Sequence, residues 1–190
     1  MKKGTFVLIG LFFGYYFSNG QETLSQQKPE RLFQNGMDLL LHKEYGASYN
    51  SFTDFIKTYP YVDARRMDAE YYQALCALNL HHSDGEKLLE TYIESHPLYP
   101  KTIAAYYELA SFFYGEKDFS KAAIYFSKVD FPSLSDEQQN TGRFRSGSSL
   151  FSLKNLKVSL DQFNTIKAGG GQYGPAASYS ARFKSIKALG

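Results

Sequence analysis

From Leu32 onward the apolar residues recur at helical spacing in short runs, and each run is broken by a polar turn before the next begins. The clearest pair lies in the middle of the chain. Tyr106, Leu109, Ala110 and Phe113 fall at i, i+3, i+4 and i+7, which predicts a helix over Thr102 to Tyr114. Gly115 to Asp118 read as the turn, with Gly115 expected to supply a left-handed helix end. A second helix is expected over Phe119 to Val129, with Ala122, Phe126 and Val129 facing inward, and Pro132 blocks its continuation. Two helices joined by a tight turn make a helical hairpin.

The pattern repeats at an offset of 37 residues, as Phe52, Leu89, Phe126 and Phe163 show. The same offset relates Leu39, Cys76, Phe113 and Leu150, then Phe55, Tyr92, Val129 and Ile166, and the small residues Ser48, Gly85, Ala122 and Ser159. Matched sizes in every column predict hairpins that stack by inserting a large side chain into the gap left by a small one. The expected fold is therefore all-α: an α-α superhelix, or solenoid, of about four helical hairpins over residues 30–174, with a terminal helix over 175–190. That last stretch carries Ala176, Tyr179, Phe183 and Ile186 on one face, and it reads as a capping helix or as the start of a fifth repeat.

These residues resemble the tetratricopeptide repeat, whose unit runs large, x2, large, small, x2, aromatic, then small and aromatic four apart, often followed by Pro. Tyr106, Leu109, Ala110, Phe113, Ala122 and Phe126 match closely, with Leu134 in place of the Pro. The first unit offers Leu32, Gly36, Leu39, Ser48, Phe52 and Pro60; the second Tyr72, Cys76, Leu89 and Pro97; the fourth Gly147, Leu150, Ser159 and Phe163. In such arrays the first helix of each unit lines a groove that takes a protein partner. Carried over by position, the resemblance implies a partner-binding groove at Phe33, Met37, Glu70, Ala74, Tyr107, Ser111, Tyr114, Phe144, Ser148 and Phe151. The Lys and Asn that grip a C-terminal carboxylate in some relatives are missing from these places, so an apolar peptide or helical segment suits the groove better. The layout is similar to tetratricopeptide proteins of the bacterial envelope that serve outer-membrane assembly or Tol-linked division.

Lys2 and Lys3 precede the apolar run Phe6 to Phe17, and Ser18 and Gly20 follow, which predicts a signal peptide over 1–20 and a linker over 21–29. That run is too short to span a bilayer, so no transmembrane segment is expected in the mature chain. Export to the periplasm or cell surface of a Gram-negative-type bacterium follows from this reading. Removing Lys2 and Lys3 from 21 basic residues leaves 19 against 19 acidic ones, a neutral mature chain that gives nucleic acid no electrostatic hold. The single cysteine, Cys76, permits no internal disulfide.

Chemistry is hard to place on this chain. His81, His82, Asp84 and Glu86 cluster, but adjacent histidines in a turn rarely converge on one ion, and Ser83 or Asp84 is expected to cap the following helix instead. Gly169, Gly170 and Gly171 lack the Lys-Ser or Lys-Thr of a phosphate loop, and no Gly-x-Ser-x-Gly elbow is present. No catalytic residue, metal or cofactor is expected, and the oligomeric state is not legible. The expected function is an exported scaffold for protein-protein interaction, with a glycan-binding role for the groove aromatics as the alternative.

Overall fold

A computed structural model of the chain describes residues 28–166. All regular structure among them is helical, the class the sequence predicts. We number the helices α1 (28–41), α2 (Tyr45–Thr58), α3 (Ala64–Asn79), α4 (Gly85–Ser95), α5 (Lys101–Gly115), α6 (Phe119–Phe126), α7 (Asp136–Ser152) and α8 (Leu156–Asn164), with a 3-10 turn at Phe131–Ser133. The chain divides into two compact units, Met1–Leu80 and His81–Gly190. The expected signal peptide, the triglycine and the terminal helix lie outside the described residues. No helix within the described range is long and apolar enough to cross a membrane.

In the first unit Phe52, Phe55 and Ala69 are fully buried, with Leu32, Phe33, Met37 and Tyr72 packed around them. Phe33 meets Phe52 and Phe55 edge-on at 5.7 and 5.3 Å, and Tyr72 stacks on Phe52 at 5.5 Å, arrangements that the aromatic quadrupole favours. Phe52 sits directly on the backbone of α1. A Cβ on Gly36 would stand 2.9 Å from its ring, closer than real carbon contacts allow. Beside it the buried Ser48 hydroxyl donates to the Gly36 carbonyl at 2.9 Å and accepts from the Cys76 thiol at 3.3 Å, so one polar chain ties α1, α2 and α3. Burial pushes the Cys76 thiol pKa up.

The start of α3 is fixed by Asp63, whose carboxylate accepts the backbone N–H of Arg65 and Arg66 at 3.1 and 3.2 Å and the Tyr59 hydroxyl at 2.7 Å. The Tyr59 hydroxyl, ahead of the two amides, holds the Asp63 carboxyl below the usual carboxylate range.

The second unit repeats the device. Phe163 of α8 lies on α7 so closely that a Cβ on Gly147 would come within 2.6 Å of the ring, and the Ser159 hydroxyl donates to the Gly147 carbonyl at 2.8 Å. Between α5 and α6 the same places hold Ala110 and Ala122, both fully buried beside Phe126. Phe126 contacts Tyr107 edge-on and stacks on Phe131, each at 6.3 Å. The rings of Phe131 and Tyr107 reach α7 at Gly142, where a Cβ would approach to 2.7 and 2.9 Å. Ser135 and Gln138 close a capping box at the start of α7. A polar link joins α4 to α6: Lys121 pairs with Glu86 at 2.7 Å, and the Tyr125 hydroxyl donates to Glu86 at 3.0 Å and Glu90 at 2.8 Å. Burial, then these carboxylates, push the Tyr125 pKa up.

Two local expectations need correcting. Gly115 does not take the left-handed conformation; it remains in the last turn of α5, and Lys117 adopts it at φ 62°. The reason is the position of the cap. Asp118 donates to the Phe113 carbonyl and Lys117 to that of Tyr114, a Schellman pair that places the left-handed residue two positions after Gly115. Lys43 and Lys154 carry the same φ with the same pair of bonds, so this turn recurs on the 37-residue period, and a glycine is used at none of the three. The second correction concerns α6, which ends at Phe126; Val129, expected as helical, lies beyond the helix yet is still buried.

Gly147→Ala should destabilise the protein by about 1–2 kcal/mol, because overpacking against Phe163 outweighs the better helix propensity of alanine. Gly46→Ala, at a helical glycine with nothing within 4 Å, should be neutral or stabilising. Urea midpoints of the two variants check this, and equal shifts would remove the glycine contact from the account. Asp63→Ala should cost about 1 kcal/mol at neutral pH. A carboxyl whose pKa falls on folding contributes above its unfolded value and loses that contribution as pH drops, so the gap between Asp63→Ala and the parent should close below about pH 4 in acid titrations of stability.

Candidate functional site

The face of α5 that carries Tyr107, Ser111 and Tyr114 turns toward α7 within the second unit. Glu108, Ser111 and Tyr114 follow one another at steps of three residues and so line one strip of the helix. Across from them stands Arg145 of α7. Its guanidinium lies 5.8 Å over the Tyr114 ring, and its charge acts on Glu108. Burial pushes the Glu108 carboxyl pKa up, and Arg145 offsets only part of that shift. Glu108 makes no hydrogen bond or ion pair among the described residues. Ser111 has a buried hydroxyl oxygen with no partner among them.

Of the other residues expected to line a groove, Phe33 and Met37 are half-buried against the Phe52 and Phe55 cluster, so both belong partly to the core of the first unit. Glu70 is half-buried and ion-paired to Arg66 at 3.0 Å. Ala74 is only 2% exposed and Tyr107 only 7%, which corrects their placement on an open surface. Tyr107 turns inward because Gly142 leaves its ring room against α7. Phe144 is half-buried and packs on Phe163 at 6.0 Å. Ser148 is half-buried, and Phe151 is exposed at 38%. The structure thus brings Ser111 and Tyr114 into one strip with Glu108 and Arg145, and leaves Phe33, Met37, Glu70 and Ala74 in the other unit.

Glu108 and Arg145 were not among the expected site residues. A signal for the first was present, because Glu108 is the one charged residue between Lys101 and Glu116 in an otherwise apolar and hydroxylated helix. The Tyr114 ring beside the strip is engaged. Arg145 covers Tyr114, whose ring also meets Phe119 edge-on at 6.0 Å. Around His81, His82, Asp84 and Glu86, Asp84 is the N-cap residue of α4 but its side chain makes no cap bond, a correction to the expected capping role. Glu86 is taken up by Lys121 and Tyr125. No group of three or more His, Cys, Asp or Glu among the described residues is arranged to hold a metal ion.

Among solved structures the chain is similar to a mutant of MamA, with a TM-score of 0.61 at 16% identity over 84% of this chain and 90% of that one. It is also similar to MamA AMB-1, with a TM-score of 0.59 at 16% identity over 84% of each chain. MamA is a tetratricopeptide-like protein. The fold is tetratricopeptide-like. It falls in the α-α superhelix class predicted from the repeat. No family model matches the chain, and no curated protein does. In the tetratricopeptide-like frame α5 and α7 are the first helices of two successive hairpins, so the Glu108 strip lies on first-helix positions.

Because Tyr107 is a core residue, Tyr107→Ala should cost about 3–4 kcal/mol of stability. Denaturant unfolding of the variant gives the number, and a loss under about 1 kcal/mol would return Tyr107 to the surface.

Proposed function

We propose that this chain is an exported, non-catalytic scaffold of the bacterial cell envelope, which holds segments of other proteins along the first helices of its tetratricopeptide-like hairpins. The observation that carries the reading is a contrast within the second unit. The hairpin interiors are closed by Ala110, Ala122, Phe126, Gly147 and Phe163, whereas Ser111, Tyr114, Ser148 and Phe151 on α5 and α7 stay partly open. Side chains that rigid helices position, and that the core does not consume, suit recognition of a second chain. Likeness to the tetratricopeptide-like MamA supports a binding role through the fold. Export rests on the basic and apolar pattern of residues 1–20. Service in outer-membrane assembly or Tol-linked division is the context that the sequence layout favours.

Expression of the full chain in a Gram-negative host, with a photo-crosslinking residue at Ser148 or at the exposed Lys57 of α2, tests the reading. Processing to Gln21, recovery outside the cytoplasm and a discrete protein adduct from position 148 but not 57 are expected. The adduct should weaken at least about fivefold in the Tyr114→Ala, Phe151→Ala double variant. Retention of an unprocessed chain in the cytoplasm would sink the export claim, and equal adducts from both positions the binding face.

A further inference from the structure

The strip formed by Glu108, Ser111 and Arg145 lacks partners of a particular kind. Among the described residues Glu108 offers a half-buried carboxyl that accepts nothing, Ser111 a buried hydroxyl without a partner, and Arg145 a guanidinium whose contacts are the Tyr114 face and the charge of Glu108. The Arg145 guanidinium lies over the Tyr114 ring and its charge acts on Glu108, and Ser111 lies between Glu108 and Tyr114 on α5, so the three residues flank one strip of that helix. Buried polar atoms left unpaired are costly, and such groups in a native protein call for an explanation.

We propose that these three residues recognise an amide of an extended protein segment, whose N–H donates to Glu108 and whose carbonyl accepts from Arg145, with Ser111 completing the set. The reasoning is charge complementarity. A free cation would suit Glu108 but meet the charge of Arg145, and a free anion would suit Arg145 but meet Glu108. A neutral amide carries a donor and an acceptor together and satisfies both without importing charge. Glu108 is half-buried, and that burial pulls its carboxyl pKa up, so bonds made to it on binding replace little water. An acetamido sugar carries the same amide, but sugar rings also call for a bare aromatic face beside it, and here Arg145 lies over the Tyr114 ring while Tyr107 is buried. A peptide is therefore the occupant. This assignment rests on the scaffold reading and specifies which atoms of the partner that scaffold grips.

The full chain is panned against a phage-displayed library of random 12-residue peptides, and the enriched peptides are titrated against the parent, Glu108→Gln, Ser111→Ala and Arg145→Gln. Each substitution is expected to weaken binding at least about tenfold. Meanwhile the urea midpoint of Glu108→Gln equals or exceeds that of the parent, because the free protein sheds a poorly solvated carboxyl, a readout that a purely structural glutamate would reverse. Absence of any enriched peptide, equal binding by all variants, or a fall in the Glu108→Gln midpoint overturns the assignment. Competition by chitotetraose, an oligomer of an acetamido sugar, at the concentration that displaces no peptide from Tyr114→Ala, overturns it in favour of a glycan. A protein adduct in cells from position 148 that persists in Glu108→Gln removes this site and leaves the scaffold standing.

Discussion

An aromatic ring laid directly on the backbone of a neighbouring helix is the contact on which each hairpin depends. The ring can come so close only where the underlying residue has no side chain, as at Gly36 under Phe52 and Gly147 under Phe163. In both places a serine one turn before the ring donates to the carbonyl of that same glycine, so the small residue of the second helix is fastened to the small residue of the first. The bond satisfies a hydroxyl that would otherwise be buried at a cost, and it sets the sliding register of the two helices. Between α5 and α6 the pair is Ala110 and Ala122, and methyl contact replaces the bond. What the repeat keeps is therefore a separation between helices, and more than one pair of residues achieves it.

The regularity of that separation is why the fold was legible. Columns of like size at one period constrain how helices pack, and the helix expected over Thr102 to Tyr114 is found at Lys101–Gly115, although the next one stops three residues short of expectation at Phe126. Turn chemistry was less legible. Glycine marks a left-handed residue only when the bonding pattern puts that conformation on it, and here the pattern puts it on Lys117, which bears a side chain at some energetic cost. The candidate strip was legible in part. Position within the repeat named Ser111 and Tyr114, which the structure leaves half-buried on α5, but it also named Ala74 and Tyr107, which are buried; for Tyr107 the cause is a glycine on another helix, Gly142. Glu108 and Arg145 escaped because their significance is mutual: each is ordinary alone, and only folding puts the charge of one beside the other.

Polar groups in the second unit fall into two populations. Glu86, Glu90, Lys121 and Tyr125 satisfy one another and fasten α4 to α6, so their charges are spent on structure. Glu108 and Ser111 are held as firmly by their helix yet satisfied by nothing in it. The asymmetry matters because a lost or missing bond at a buried atom costs more than a made one returns. Stability alone would favour apolar residues at those two places.

The thiol of Cys76 carries a different consequence. Thiolate is the reactive form, and this sulfur is enclosed, protonated by its surroundings and engaged with Ser48. Alkylating reagents therefore reach it only when α1, α2 and α3 part from one another. The labelling rate of one native atom reports how often the first unit opens, while the second unit, which has no cysteine, stays silent in the same measurement.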